Sequence, residues 1–390
     1  MSASITRVAV VVGLCAHGLA IARSLTKERV RVVALESNMD LPGTHTNVAT
    51  VRRVSDINSD VLIEELVQSA PALSRHGRPV LFLTNDQMVA MVGRHYEELE
   101  EYYDLSWANC REALVPLLDK EKIAARCISA KLGMPRTVAV STRQEFESSL
   151  VELGLPLIIK PTTPLSAYKT IIVDSHSSID LVWETIAAAG RAMVQEYISG
   201  DDSHIFFAAL YLENGETFAR YEGRKLRSRP LGHTTIAIGE TNDETHRLAK
   251  QFFAGLNLSG PVSLELKRDA AGKYWVIEPT VGRTDFWIGL CVRDGVNVPF
   301  IEYARQTGSV TSAIQQQDKV MWINGERDPG ALLWLVFHYP LLLVRKVVTG
   351  VYASISDPFP LAVCVFRKCL TIPSRLSRKI GVGIWASFRR

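Results

Sequence analysis

Val8 to Val12 is an unbroken apolar run rich in β-branched residues, and Gly13 ends it. A run of this kind suits a buried strand. Gly18 to Leu25 follows with helical periodicity, and Val30 to Leu35 is a second apolar strand stopping at Glu36. Strand, helix and strand at this spacing form a βαβ unit, which commits the opening of the chain to a parallel sheet covered by helices. Val80 to Leu83, then Thr84-Asn85-Asp86, adds a strand with polar groups at its carboxyl end, where open α/β sheets place ligands. Residues 1–110 are therefore expected to be Rossmann-like. Thr6-Arg7 before the apolar run resembles the start of a signal peptide, but the run is short and leads into a helix, so a first buried strand is the reading.

The turn Gly13-Leu14-Cys15-Ala16-His17-Gly18 lacks the G-x-G-x-x-G pattern that lets a dinucleotide pyrophosphate approach the backbone. That argues against a Rossmann oxidoreductase. His17 is read as a solvated or structural turn residue rather than a ligand contact, and Glu36 as a strand-end charge rather than a ribose acceptor.

Further along, Leu117 to Leu132 reads as an amphipathic helix stopped by Gly133-Met134-Pro135, and a second domain is expected from residue 111 to 190. Short strands follow at Val138–Val140, Leu157–Pro161 and Thr170–Val173, with a polar loop at 162–169. A third domain, 191–325, opens at Met193–Ile198 and carries two hairpins, one at Asn214-Gly215 and one at Ala271-Gly272. The expected architecture is α/β followed by α+β.

The second hairpin is the most informative for chemistry. Glu265 and Glu278 stand in apolar sequence on its two arms, and a turn at Ala271-Gly272 sets them about 4.5–5.5 Å apart at Cβ. Two carboxylates that close repel unless a proton or a cation is shared. Magnesium with nucleotide phosphates meets that demand, since it takes oxygen ligands and usually one or two carboxylates. Lys160 ends an apolar strand beside the polar loop, Lys120 opens a helix, and Gln195-Glu196-Tyr197-Ile198 lies between two domains, which together suggest a nucleotide cleft.

Lys120, Lys160, Gln195-Glu196-Tyr197-Ile198, Glu265, and Glu278 with Arg283 occur in the order seen in the ATP-grasp superfamily. Over roughly residues 8 to 310 the chain resembles a carboxylate-amine ligase of that group, broadly similar to D-aspartate ligases. The resemblance implies a Rossmann-like pre-ATP-grasp domain, a two-lobed ATP-grasp domain, and ATP and Mg2+ as cofactors. It implies that Lys120 and Lys160 bind phosphates, with Lys169 capping them when the loop closes. Glu196 would accept from the adenine amino group, beside Gln195 and the backbone of Tyr197 and Ile198, and Asp202 would take the ribose hydroxyls. Glu265, Glu278 and Thr280 would hold magnesium. Arg283 would steady the transferred phosphoryl group, with Lys225 and Arg227 facing phosphate or substrate carboxylate. Two departures stand out. Thr280 occupies the place of the family's usual asparagine, with the arginine one residue later, and the loop after Lys160 is poor in glycine. The implied activity is ADP-forming amide synthesis from a small or polymer-linked carboxylate and an amine. A catalytically silent ATP-binding regulator is the alternative.

Composition narrows the remainder. Of 390 residues 47% are apolar and 22% charged, which excludes a disordered chain, collagen or a small disulfide scaffold. A net charge of +3 gives no reason to expect nucleic acid as a partner. The six cysteines form no C-x-x-C pair, as expected of thiols in the cytoplasm, and zinc is not expected. The charge is uneven: residues 331–390 hold nine basic residues and one acid, Asp357, whereas 1–330 hold 35 basic and 40 acidic. The tail, 326–390, is expected to be basic, apolar and helical. Its apolar run, Ala331 to Val344, is broken by His338 and Pro340 and falls short of the roughly 20 residues a spanning helix needs. Two readings stay open: an amphipathic anchor on anionic lipid at the inner face of the membrane, or packing against the body or a second subunit. Asp357-Pro358-Phe359-Pro360 reads as a structural turn.

Overall fold

The computed structural model describes residues 7–162, 170–175, 179–229, 232–311 and 314–369. Three sheets organise the chain. The first is parallel, ordered β3-β2-β1-β4, from β1 (Ala9–Val12), β2 (Val32–Glu36), β3 (Thr50–Arg53) and β4 (Val80–Leu83). The opening apolar run is β1, interior to that sheet, and all four of its residues are buried. The helix Ala16–Lys27 crosses to β2. The two turn glycines are explained by packing: a Cβ on Gly18 would collide with the carbonyl oxygen of Gly13, and a Cβ on Gly13 with the Thr84 hydroxyl.

The second sheet, β5-β8-β6-β7, is antiparallel and comprises β5 (Thr137–Val140), β6 (Leu157–Pro161), β7 (Ile171–Val173) and β8 (Ala192–Glu196). The helices Arg143–Leu153 and Ile179–Ala189 complete this small lobe, cored by Phe146, Ile159 and Val194. Because β8 pairs with β5 and β6, the break between lobes falls near Glu196 rather than at residue 190.

The third sheet has seven strands ordered β13-β12-β9-β10-β11-β14-β15. These are β9 (Ile205–Glu213), β10 (Glu216–Ser228), β11 (Thr234–Gly239), β12 (Gly260–Arg268), β13 (Tyr274–Val281), β14 (Val320–Ile323) and β15 (Val347–Gly350). One apolar cluster runs from Val10 in the parallel sheet through Trp107 to Leu264 and Val281 in the large sheet, joining the two units.

The C-terminal region is bound to the body. β15 pairs in parallel with β14, and the helix Ala331–His338 buries Ala331 and Leu335 against Ile236 and Met321. Asp357 is fully buried: its carboxylate accepts from Arg23 (2.8 Å), Thr46 (2.7 Å) and the Asn47 backbone (2.9 Å). The tail is thus tied to the N-terminal unit at Asp357, and also by Arg367 with Asp40 and by Tyr352 and Cys364 packed on Leu19. Among the described residues no helix is long and apolar enough to cross a membrane.

Candidate active site

Glu265 of β12 and Glu278 of β13 are register partners, as are Ser263 and Thr280. Side chains two apart share a sheet face, so all four project from the same side. Lys225 of β10 forms an ion pair with Glu265. Above this face lies Asp285, which accepts from the Ser263 hydroxyl and from Thr280 Oγ1 at 3.2 Å; burial pushes its carboxyl above the usual range. Thr280, expected as a third metal ligand, is therefore buried with its hydroxyl committed to Asp285. The donors of Glu265 and Glu278 are all oxygen, and among the described residues no three His, Cys, Asp or Glu side chains are grouped to hold an ion. A cation here would draw its other ligands from water and phosphate, which is how magnesium is usually bound beside nucleotides. The residues fit that ion.

Two lysines lie at the edge of the small lobe, Lys160 in β6 and Lys120 on a helix that packs with the large sheet. Lys120 opens the helix Lys120–Ser129, capped by Asp119, and its Nζ donates to the Pro161 carbonyl at 3.0 Å. Burial lowers its pKa, while the Glu278 charge raises it, so the two groups sense each other across the cleft. Lys160 Nζ donates to Gln195 Oε1 at 2.9 Å, and Gln195 in turn donates to Thr137 at 2.9 Å. Tyr197 lies under Lys267, whose Nζ is 4.8 Å from the ring centroid. Burial lowers the Lys267 pKa, the Asp202 and Asp201 charges raise it, and Lys160 lowers it. Lys267 escapes the sequence reading, although the alternation Ser263-x-Glu265-x-Lys267 carries its signal.

Three expected residues are engaged elsewhere. The Glu196 carboxylate meets the backbone N–H and guanidinium of Arg136, at 3.3 and 3.4 Å, because neighbouring strand residues face opposite ways and Gln195 takes the Lys160 side. Asp202 accepts from the Ser228 backbone at 2.6 Å. Arg227 donates to Asp328 at 2.6 Å and lies 4.8 Å from the Trp334 ring centroid, so it braces the C-terminal helix. Register shifts between Lys225 and Ser228 divide it from Lys225, which stays with Glu265. Ile198 is buried beside Tyr197. Lys169 lies outside the described residues.

The remaining groups lie against the parallel unit. Arg283, 13% exposed in its side chain, donates from Nε to Asp86 at 2.6 Å and from Nη1 to the Thr284 carbonyl at 3.0 Å. His17 is buried with Nδ1 at 3.2 Å from the Thr84 carbonyl and Nε2 at 2.8 Å from the Thr284 hydroxyl. Burial, and then the Arg283 charge, push its pKa down to about 3, so the ring is neutral. Glu36, expected as a plain strand-end charge, is instead buried, accepts from the backbone of Leu14, Ser37 and Asn38 at 2.6–2.9 Å, and borders the cavity at this sheet end. At the carboxyl end of this sheet a cavity of about 250 Å³ is lined by Gly13, Cys15, Asn38 and Asn85 among others.

The parallel unit, the small antiparallel sheet and the large seven-stranded sheet together make a fold that solved structures share. No family model matches the chain. N5-carboxyaminoimidazole synthetase from Staphylococcus aureus complexed with ADP is similar, with a TM-score of 0.65 and 16% identity over 85% of each chain. The biotin carboxylase domain of Hydrogenobacter thermophilus 2-oxoglutarate carboxylase, in complex with MgADP and bicarbonate, has a TM-score of 0.62 at 13% identity, covering 82% of this chain and 74% of that one. In sequence, D-alanine--D-alanine ligase of Ectopseudomonas mendocina (strain ymp) is 22% identical over 184 residues, 44% of this chain and 59% of that protein. Formate-dependent phosphoribosylglycinamide formyltransferase of Marinobacter nauticus is 25% identical over 210 residues, 52% of this chain and 48% of that protein. The matched segments thus span about half the length of these curated relatives.

Proposed function

We propose that the protein is an ATP-dependent carboxylate-amine ligase that forms an amide through an acyl phosphate and releases ADP and phosphate. The observation that carries this reading is the convergence of Lys120, from a distant helix, with Glu278 of β13 and with Arg283 just beyond that strand. Lys120 and Lys160 hold the phosphates as point charges. Glu265 and Glu278 would hold magnesium, which supplies charge neutralisation on the phosphates when bound. Adenine is read by the backbone from Glu196 to Ile198, since the Glu196 carboxylate is held by Arg136. Arg283, fixed by Asp86, meets the charge that develops on the transferred phosphoryl group. A substrate carboxylate needs no general base to attack, and catalysis is positioning and charge neutralisation. The N-terminal unit, in this reading the pre-ATP-grasp domain, offers its cavity to the acceptor substrate. A cytoplasmic site of action is consistent with the six free cysteines.

The test is ADP release from MgATP across a matrix of carboxylates and amines, beside Lys160→Ala and Glu278→Ala. Release that needs one carboxylate and one amine and vanishes in both variants supports the ligase. MgATP binding without release from any pair favours the silent regulator, a second reading to which the commitment of Thr280 to Asp285 lends weight.

A further inference from the structure

Among the described residues 21 large apolar side chains are exposed, and 13 of them fall between Leu332 and Phe366. They are what remains after the tail has docked. In the helix Ala331–His338 the inward positions are Ala331 and Leu335, while Leu332, Leu333, Val336 and Phe337 share the outer side. The following helix, Pro340–Arg345, turns Leu341 and Val344 outward, 68% and 87% exposed. A concentration of this kind on a soluble chain marks a surface that meets something apolar.

The charge pattern selects the partner. The only acid in residues 331–390 is Asp357, and it is fully buried against Arg23, so the tail presents no exposed negative side chain. Arg345 is exposed beside the apolar helices, and in sequence Arg375, Arg378, Lys379, Arg389 and Arg390 follow with no acid among them. A second copy of the chain would bring the same cationic segment to a symmetric contact, setting like charge against like. An anionic lipid surface supplies both the apolar layer and the opposite charge. We propose that the outer face of residues 331–369 is a peripheral docking surface for an anionic phospholipid bilayer, with the apolar side chains in the headgroup boundary and the basic ones on the phosphates. This goes beyond the ligase reading and does not depend on it.

Removing residues 331–390 would strip β15 and uncover Ile236 and Met321, so point substitutions in the full chain are the test. The probes are vesicles of phosphatidylcholine alone and of phosphatidylcholine mixed with phosphatidylglycerol, read by cosedimentation. The wild type is expected on the mixed vesicles and not on phosphatidylcholine, with binding weakened as the Debye length is cut from about 10 Å to about 3 Å by salt. Leu333→Glu with Phe337→Glu, and separately Val344→Glu, should each lower the bound fraction about ten-fold or more, whereas Val151→Glu, on an exposed small-lobe position, should not. Circular dichroism and thermal melting identify the variants that remain folded. The proposal is overturned if the wild type stays in the supernatant, if both vesicle types bind alike, or if folded variants bind like wild type. It is also overturned if the substitutions dissolve a dimer without any vesicle binding.

Discussion

Glu302 offers a prediction whose size follows from the structure. It lies on the helix Val298–Thr307, 4% exposed, and accepts a hydrogen bond of 2.6 Å from the Ser106 hydroxyl across the seam between the parallel unit and the large lobe. Burial pushes its carboxyl from an ordinary value near 4.5 up to about 8, against the opposing pull of the Ser106 bond. The native state therefore holds a proton that the unfolded chain releases. Its contribution to stability is fully present below about pH 4.5 and is lost as the pH rises through about 8. At about 1.4 kcal/mol per pH unit, roughly 4 kcal/mol should disappear between about pH 5 and pH 9. Glu302→Gln keeps an acceptor for Ser106 and removes the titration. Urea unfolding of both proteins across that range should show the variant close to wild type near pH 5 and more stable by about 4 kcal/mol near pH 9. A gap that does not change with pH would refute the argument, because it would mean that Glu302 ionises alike in both states.

Two further outcomes follow from buried charge. Asp357→Ala leaves the Arg23 guanidinium facing three carbonyls without its carboxylate, and should cost about 3–5 kcal/mol in urea unfolding, with hydrogen exchange rising first in 347–369. Asp86→Asn removes the counter-charge of Arg283 while leaving an acceptor; in the ligase reading kcat should fall about ten-fold or more with little change in KM for ATP, and Asp86→Glu should recover part of it. A raised KM with kcat unchanged would assign Asp86 to binding instead.

Much of the fold was legible because period and punctuation agree. Val8 to Val12 reads as a buried strand because it is short, β-branched and leads into a helix, and Gly13 and Gly18 flank a turn too tight for a Cβ. The hairpin turn put Glu265 and Glu278 on facing strands, but its own register would set Glu265 opposite Ile277, and a register shift between Glu265 and Leu266 brings Glu278 across from it. The sites that escaped did so for local reasons. Gln195 and Glu196 are adjacent and both polar, and sequence alone does not say which of two opposite faces lines the cleft. Arg227 sits beyond a register irregularity, which breaks the alternation that would have kept it with Lys225. Asp285 follows β13, outside any strand, where no periodicity announces a buried acid. The tail is mixed because its helices are short: two buried residues anchor the first of them, and composition alone gave both the packed and the exposed reading.

The departure at the end of β13 has a physical account. Gly282 has φ of +70°, and a Cβ there would press on Val89 and Leu114, so the residue inserted before Arg283 is one that only glycine fills comfortably. The turn it allows carries Arg283 and Thr284 away from the large lobe and onto the parallel unit, where Asp86 takes the guanidinium and His17 the Thr284 hydroxyl. His17 serves there as a neutral ring, since an imidazolium would face Arg283 in a dry site. A shorter link would leave the arginine to be positioned by its own lobe. With the glycine present, the placement of the guanidinium depends on the docking of the N-terminal unit, so in the ligase reading a substitution that loosens that seam should weaken phosphoryl stabilisation without touching a residue of the proposed nucleotide cleft.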